Sequence, residues 1–122
     1  MTLSTDTDIA SLDTQNFETL TIQSSGNSTA TTIQNVIGNS AAGGAALTGD
    51  ATTITITGDT SLGLDVSTDT AAGNTATRSI TVDASANTAF VNIIAEAQAR
   101  NSYSITGTAG NDQLTLNASG GT

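Results

Sequence analysis

The side chains able to do chemistry in this chain are its carboxylates. The 122 residues contain no His and no Cys, so the usual general base and the usual thiol nucleophile are both missing. Glu18 and Glu96 are the only glutamates, and no local spacing marks an acid–base pair of the glycosidase kind. The aromatic platforms of a sugar-binding cleft are missing too, since Phe17, Phe90 and Tyr103 are all the chain has. Catalysis is therefore not expected. Carboxylates at turns can instead hold a hard cation. Asp50, Asp59, Asp65 and Asp83 each fall at a turn or at the end of a strand-like run. Two carboxylates about 5 Å apart repel by roughly 1 kcal/mol even in water, and a divalent cation between them reverses the sign. Singly, each of these aspartates reads as a solvated turn or cap. Together they lead to an expectation of stabilisation by cations, with Asp59 and Asp83 included as ligands.

The most specific pattern is Gly107-Thr108-Ala109-Gly110-Asn111-Asp112-Gln113-Leu114-Thr115. Its glycines allow a tight turn, its Asp supplies a hard oxygen, and its Leu enters a short strand. It resembles the nonapeptide G-G-x-G-x-D-x-U-x of RTX (haemolysin-type) calcium-binding repeats, where U is a large apolar residue. The resemblance implies Ca²⁺ as the bound ion, lying between successive turns with oxygens from both. It makes Gly107, Thr108, Gly110, Asn111 and Asp112 the candidate metal residues. Thr108 stands where the second Gly is usual. A further repeat opens at Gly120-Gly121-Thr122, so a site shared between the two turns is expected to be incomplete here, and the natural protein is expected to continue.

A broader likeness runs from about residue 16 onward. Phe17–Ile22, Ala51–Asp59 and Ser79–Ser85 are similar to the degenerate Thr-, Ala- and Asp-rich repeats of bacterial surface-layer proteins that carry RTX turns. The resemblance implies secretion by type I machinery through a C-terminal signal, Ca²⁺ binding, and assembly into a lattice on the bacterial cell surface. Residues Met1–Asp8 lack the basic and apolar stretches of a Sec signal peptide, in keeping with that route.

The elements that would position these residues are strands. Gly followed by Asn or Asp recurs as punctuation at Gly26, Gly38, Gly49, Gly58, Gly73 and Gly110. Between these pairs, apolar and polar residues alternate with period two, and Thr, stiff at χ1, favours strand over helix. The pattern predicts strands near Phe17–Ser24, Thr31–Ile37, Thr52–Thr57, Gly63–Ser67, Arg78–Ala84, Tyr103–Thr106 and Gln113–Asn117. Ile54 and Ile56 are expected on the core side with Thr53, Thr55 and Thr57 outside. Leu114 and Leu116 are expected on the opposite side of their strand from Thr115, facing the core. The Thr53-Thr55-Thr57 row resembles an ice-binding array, but the run Thr31–Ile37 does not repeat it, so an ordinary exposed sheet face is preferred.

The segment Ala89–Arg100 fits either a helix, with Phe90, Ile93, Ile94 and Ala97 on one face, or a strand, with Val91, Ile93, Ala95 and Ala97 inward; the strand is preferred. Residues 39–46 read as a loop. An echo of Ala30-Thr31-Thr32-Ile33 in Ala51-Thr52-Thr53-Ile54, and one of Thr55–Gly58 in Ser104–Gly107, hint at a repeat of about 20 residues.

The net charge is −9, with Arg78 and Arg100 the only basic side chains. Nucleic acid and anionic membrane surfaces are thereby excluded as partners, because both need clustered Lys or Arg. No segment approaches the ~18 apolar residues of a membrane-spanning helix. One domain with a core of small aliphatic residues is the expectation, preceded by a loosely ordered segment 1–14, extending over 15–106 as the repeat domain and ending in RTX-like turns over 107–122. The fold expected is all-β, a parallel β-solenoid first and a small antiparallel β-sandwich second. The function expected is structural: a calcium-stabilised, self-assembling component of a bacterial surface layer, forming a homo-oligomer or lattice with cell-surface polysaccharide as a further partner. An RTX adhesin, or a calcium-dependent accessory module of a secreted polysaccharide-active protein, is the alternative. Filaments grown through exposed sheet edges are a third.

Overall fold

The computed structural model describes residues 1–14, 16–26, 29, 31–38, 47–49, 52–66, 78–97 and 101–118. The loop reading over 39–46, Asp50, Arg100 and the glycines at 120–121 lie outside the described residues. Twelve strands and no helix run through them: β1 (Thr2–Leu3), β2 (Asp8–Ile9), β3 (Leu12–Thr14), β4 (Thr19–Ser24), β5 (Asn35–Ile37), β6 (Leu47–Gly49), β7 (Thr53–Gly58), β8 (Leu62–Asp65), β9 (Arg78–Asn87), β10 (Val91–Ala97), β11 (Asn101–Thr106) and β12 (Gln113–Ala118).

One five-stranded sheet has the order β1-β4-β7-β9-β11 and a second the order β12-β10-β8-β5-β2, while β3 and β6 form a separate pair. Every pairing is parallel. This corrects the antiparallel alternative. Parallel neighbours need a crossover of a dozen or more residues, and here the crossover is the excursion through the other sheet. Pairing steps along the first sheet run from Thr2 to Gln23, Thr19 to Thr53, Thr53 to Thr81 and Arg78 to Asn101. The echo of about 20 residues matches the step from β1 to β4 and from β10 to β12, while the other steps are longer. Ile54 lies opposite Leu20 and Val82, and Ile33 precedes β5 rather than joining a strand.

Local pattern accounts for the individual strands. In β7, Ile54 and Ile56 are fully buried while Thr53 is exposed, as alternation requires. Each buried Ile or Leu is worth about 1.5–3 kcal/mol of transfer free energy. The core is one cluster fed by both large sheets, including Ile22, Ile54 and Val82 from the first and Ile37, Leu64 and Ile93 from the second. The ambiguous segment is a strand: β8 and β12 pair with β10 on either side, and Val91, Ile93 and Ala95 are buried. The run predicted over Thr31–Ile37 is shorter, because Thr32 and Gln34 bond to Ser61 instead of to a sheet neighbour.

Residues 1–14 carry three short strands, and Leu3 reaches the core. One expectation meets different geometry. Leu114 and Leu116 are exposed, although they occupy the positions opposite the buried Ile93 and Ala95. Alternation placed them on the correct side of the strand. Among the described residues, β12 has a sheet neighbour on one side only.

Candidate functional site

The turn from β11 to β12 holds the five residues Gly107, Thr108, Gly110, Asn111 and Asp112. Its centre is the Asp112 carboxylate. Oδ2 accepts from the Thr108 N–H at 2.7 Å. Oδ1 accepts from the Thr108 hydroxyl at 2.8 Å and from the Val91 N–H, at the start of β10, at 3.0 Å. Thr108 Oγ1 in turn accepts from the Gly110 N–H at 3.0 Å. The departure from the glycine pattern at position 108 thus has a structural consequence, since a glycine would have no hydroxyl to give. A Cβ at Gly107 would meet Asp112 Oδ2, so a side chain there would push the carboxylate out of its present position. Asn111 is exposed beside the clamp.

Hydrogen bonds to an ionised acceptor are short and roughly twice as strong as neutral ones. Asp112 is therefore a pin: it closes its own turn and ties that turn to the strand that precedes it in the sheet.

Two other turns between the large sheets use an amide for the same purpose. Asn35, fully buried, donates from Nδ2 to Ser24 Oγ at 2.8 Å and accepts the Thr7 N–H on Oδ1 at 3.1 Å. Buried Asn87 donates from Nδ2 to the Thr60 carbonyl at 3.2 Å and accepts the Ala89 N–H at 2.8 Å. Between them, the Ser24 carbonyl takes the N–H groups of Asp59 and Thr60 at 3.0 and 3.2 Å. That close approach explains Gly58, whose φ is +114° and whose Cβ would strike the Ser24 carbonyl. Buried amides and hydroxyls at these corners satisfy backbone groups that the turns leave unpaired.

Asp59 and Asp83 bond to partners outside the Asp112 turn. Asp59 follows β7 and is exposed, with Oδ1 accepting from the Thr60 hydroxyl at 3.1 Å. Asp83 lies inside β9, opposite Thr55 and Thr106. Its Oδ1 accepts the Ser85 N–H at 2.9 Å. The Ser85 hydroxyl, and then its N–H, hold the Asp83 carboxyl below the ordinary carboxylate range. The register between β7 and β9 shifts here, Thr55 facing Asp83 and Thr57 facing Ala86. The extra residue is a β-bulge. It turns Asn87 inward, and Asp83 braces it. Asp65, at the end of β8, is buried. Among the described residues no three His, Cys, Asp or Glu side chains gather in one place. The structure thus brings Gly107, Thr108, Gly110 and Asp112 together, while Asp59 bonds to Thr60 after β7 and Asp83 to Ser85 within β9.

Sequence reasoning missed the corner amides Asn35 and Asn87. The available signal was an Asn at the edge of an aliphatic run, which by composition reads as an ordinary turn residue. A groove beside Gly63 is bordered by Val36, Asp65, Asn92 and Ile94. Asn92 Oδ1 and the Tyr103 hydroxyl are buried with no hydrogen-bond partner among the described residues. No protein family, curated protein or solved structure matches the chain.

Proposed function

We propose that this chain is a parallel β-solenoid segment of a secreted bacterial surface-layer protein, with a structural rather than catalytic task, and that copies of it self-assemble. The observation that carries the reading is the strand order. The chain visits the two large sheets alternately, and every strand pairs in parallel with the one a visit earlier. That arrangement builds by adding one layer at a time, each in contact with its neighbours only. The corner series Asn35, Asn87 and Asp112 supports it, because each side chain ties its turn to a layer already formed. A layer-by-layer scaffold with short polar turns suits a protein whose work is to be a rigid surface.

Ca²⁺ belongs to this reading as a ligand of the Gly107–Asp112 turn. Calcium takes six to eight oxygens, and this turn supplies one carboxylate whose oxygens already accept bonds from Thr108 and Val91. An ion would have to exchange for those donors and draw further oxygens from another turn. Asp59 and Asp83 would act through separate, weaker contacts.

The test is a titration of the purified chain with Ca²⁺ and with Mg²⁺, following circular dichroism and sedimentation together. The calcium-ordered reading expects a rise in melting temperature at about millimolar Ca²⁺, the range of extracellular calcium modules, with no response to Mg²⁺. A folded chain indifferent to Ca²⁺ and to chelator would reduce Asp112 to a hydrogen-bonding pin and leave the scaffold without a metal.

A further inference from the structure

The outward face of the first large sheet carries two aligned rows of hydroxyls. Thr19 lies opposite Thr53, Thr53 opposite Thr81, and Thr81 opposite Ser104. Two residues along, Thr21 lies opposite Thr55, Thr55 opposite Asp83, and Asp83 opposite Thr106. Every member of the two rows is exposed except Thr55, which is half-buried in the middle of the sheet. Ile54 and Val82, which alternate with them, face the core. Past the second row the register shifts and Thr57 meets Ala86, so the array is two positions wide. The run Thr31–Ile37 does not repeat the pattern of β7 because it ends in β5, in the other sheet. The strands beside β7 are β4 and β9, and their Thr19, Thr21 and Thr81 continue its rows.

Strand propensity alone does not account for the rows, because the second sheet lacks them. The positions that alternate with its core residues hold Val36, Gly63, Asn92 and Gln113 in one row, and Asp65, Ile94 and Thr115 in the next. Thr115 is the single hydroxyl among them. Charge and shape then narrow the occupant. The chain carries −9, yet Asp83 is the one ionisable side chain in the two hydroxyl rows, and no aromatic ring stands in them to stack a sugar. What fits is an uncharged surface that bonds through hydroxyl-like oxygens at a regular spacing. Parallel strands lie about 4.8 Å apart and rise about 3.3 Å per residue, so the rows repeat at about 4.8 by 6.6 Å. Tetrahedral water with O–H···O bonds of about 2.8 Å sets second-neighbour oxygens about 4.5 Å apart, and its hexagonal layers repeat at about 7.4 Å. The two grids agree best across the strands. Thr is stiff at χ1, so the hydroxyls are held in place beforehand and lose little freedom on contact.

We infer that this face binds the surface of ice, its two rows of hydroxyls taking the places of water oxygens in the outermost layer of the crystal. Asp83 is the one mismatch, a charged group where its neighbours in the row are Thr55 and Thr106. Binding to ice goes beyond the surface-layer reading and does not depend on it, since it needs neither Ca²⁺ nor contact between copies.

The experiment grows ice slowly from a dilute solution of the full chain and measures the fraction taken into the crystal, beside an inert protein of similar size. Ca²⁺ is present throughout, so the calcium response is tested separately. Thr53→Tyr and Thr21→Tyr disrupt the rows, Asp83→Thr completes one, and Gln113→Tyr places the same bulk at an exposed position of the other sheet. Circular dichroism checks that each variant keeps its fold. Fluorescently labelled unsubstituted chain adsorbing to a single ice crystal gives a reading that needs no variant. The expected result is uptake of the unsubstituted chain and of Gln113→Tyr, loss of uptake to the inert level in Thr53→Tyr and Thr21→Tyr, greater uptake of Asp83→Thr, and label confined to defined crystal planes. A folded chain excluded from ice like the inert protein, with no plane labelled, overturns the inference. Uptake that survives both row tyrosines, or that is lost in Gln113→Tyr alone, moves the contact off this face and overturns it as well. Retention on an insoluble polysaccharide without uptake into ice, abolished by Thr53→Tyr, makes the rows a glycan surface and overturns ice as the occupant.

Discussion

Leu64 and Leu114 are the same residue type, two strands apart in one column of one sheet, and they live in different solvents. Leu64 is 1% exposed and Leu114 is 52% exposed. Each alternates with polar or small neighbours, and each points to the side from which the core is built. Among the described residues, β8 has strands on both sides and β12 has one. Period-two patterning chooses a side of the strand. Whether that side is dry depends on what stacks next.

The sharpest way to break the comparison is to truncate both leucines. Leu64→Ala should cost about 3 kcal/mol, within the range of roughly 2–5 kcal/mol for emptying a packed site. Leu114→Ala should cost less than about 1 kcal/mol, since half of its side chain already meets water. Urea unfolding of the two variants at dilute concentration measures both. Equal losses would mean that β12 is covered in solution.

A second contrast sets the buried corner against the exposed one. Asn87→Ala strips the Thr60 carbonyl and the Ala89 N–H of their side-chain partner inside a dry turn. The cost of stranding such groups is about 1–3 kcal/mol, and it should appear as a global loss of stability. Asp112→Ala frees the Thr108 and Val91 N–H groups at a turn that water can reach. Its cost should be nearer 1 kcal/mol, like that of a lost helix cap. It should be local as well, read as faster amide exchange at Thr108 and Val91 with little change in the central strands.

The smallest effect belongs to Asp83. Its folded carboxyl lies below the ordinary carboxylate value, held there by the Ser85 hydroxyl and N–H. A carboxyl depressed on folding contributes stability that is present above its unfolded value and is lost as pH falls through the folded one. Asp83→Asn should therefore differ slightly from the unsubstituted chain at neutral pH, and the difference should vanish as the pH falls well below 3.8. Thermal melts across that window, with an NMR titration of the Asp83 carboxyl, decide it. A side chain so exposed allows only a minor term.

Much of this protein was legible in the alternation of its residues. The all-β class, the strands around Ile54-Thr55-Ile56 and Ser79–Ala84, and the inward row Val91, Ile93 and Ala95 all follow from short-range sterics and period two. The candidate turn was legible as well, because a glycine-flanked Asp before an apolar strand is a local signature. Its hydrogen bonding was not. Thr108 looked like a flaw in a glycine pattern, and only the folded turn brings its hydroxyl onto Asp112.

Composition and spacing by themselves determined what the strands are made of, which face each one turns inward, and that carboxylates are the chemistry on offer. Tertiary structure alone decided the rest. It chose parallel pairing, with partners 21 to 35 residues apart. It gave Asn35 and Asn87 buried corner roles, shifted the register at Asp83, and exposed Leu114 and Leu116 while burying Ile93 and Ala95 opposite them. The physical reason is range. Side-chain direction and backbone propensity act over a few residues, whereas burial and pairing depend on segments that meet in space after long excursions of the chain.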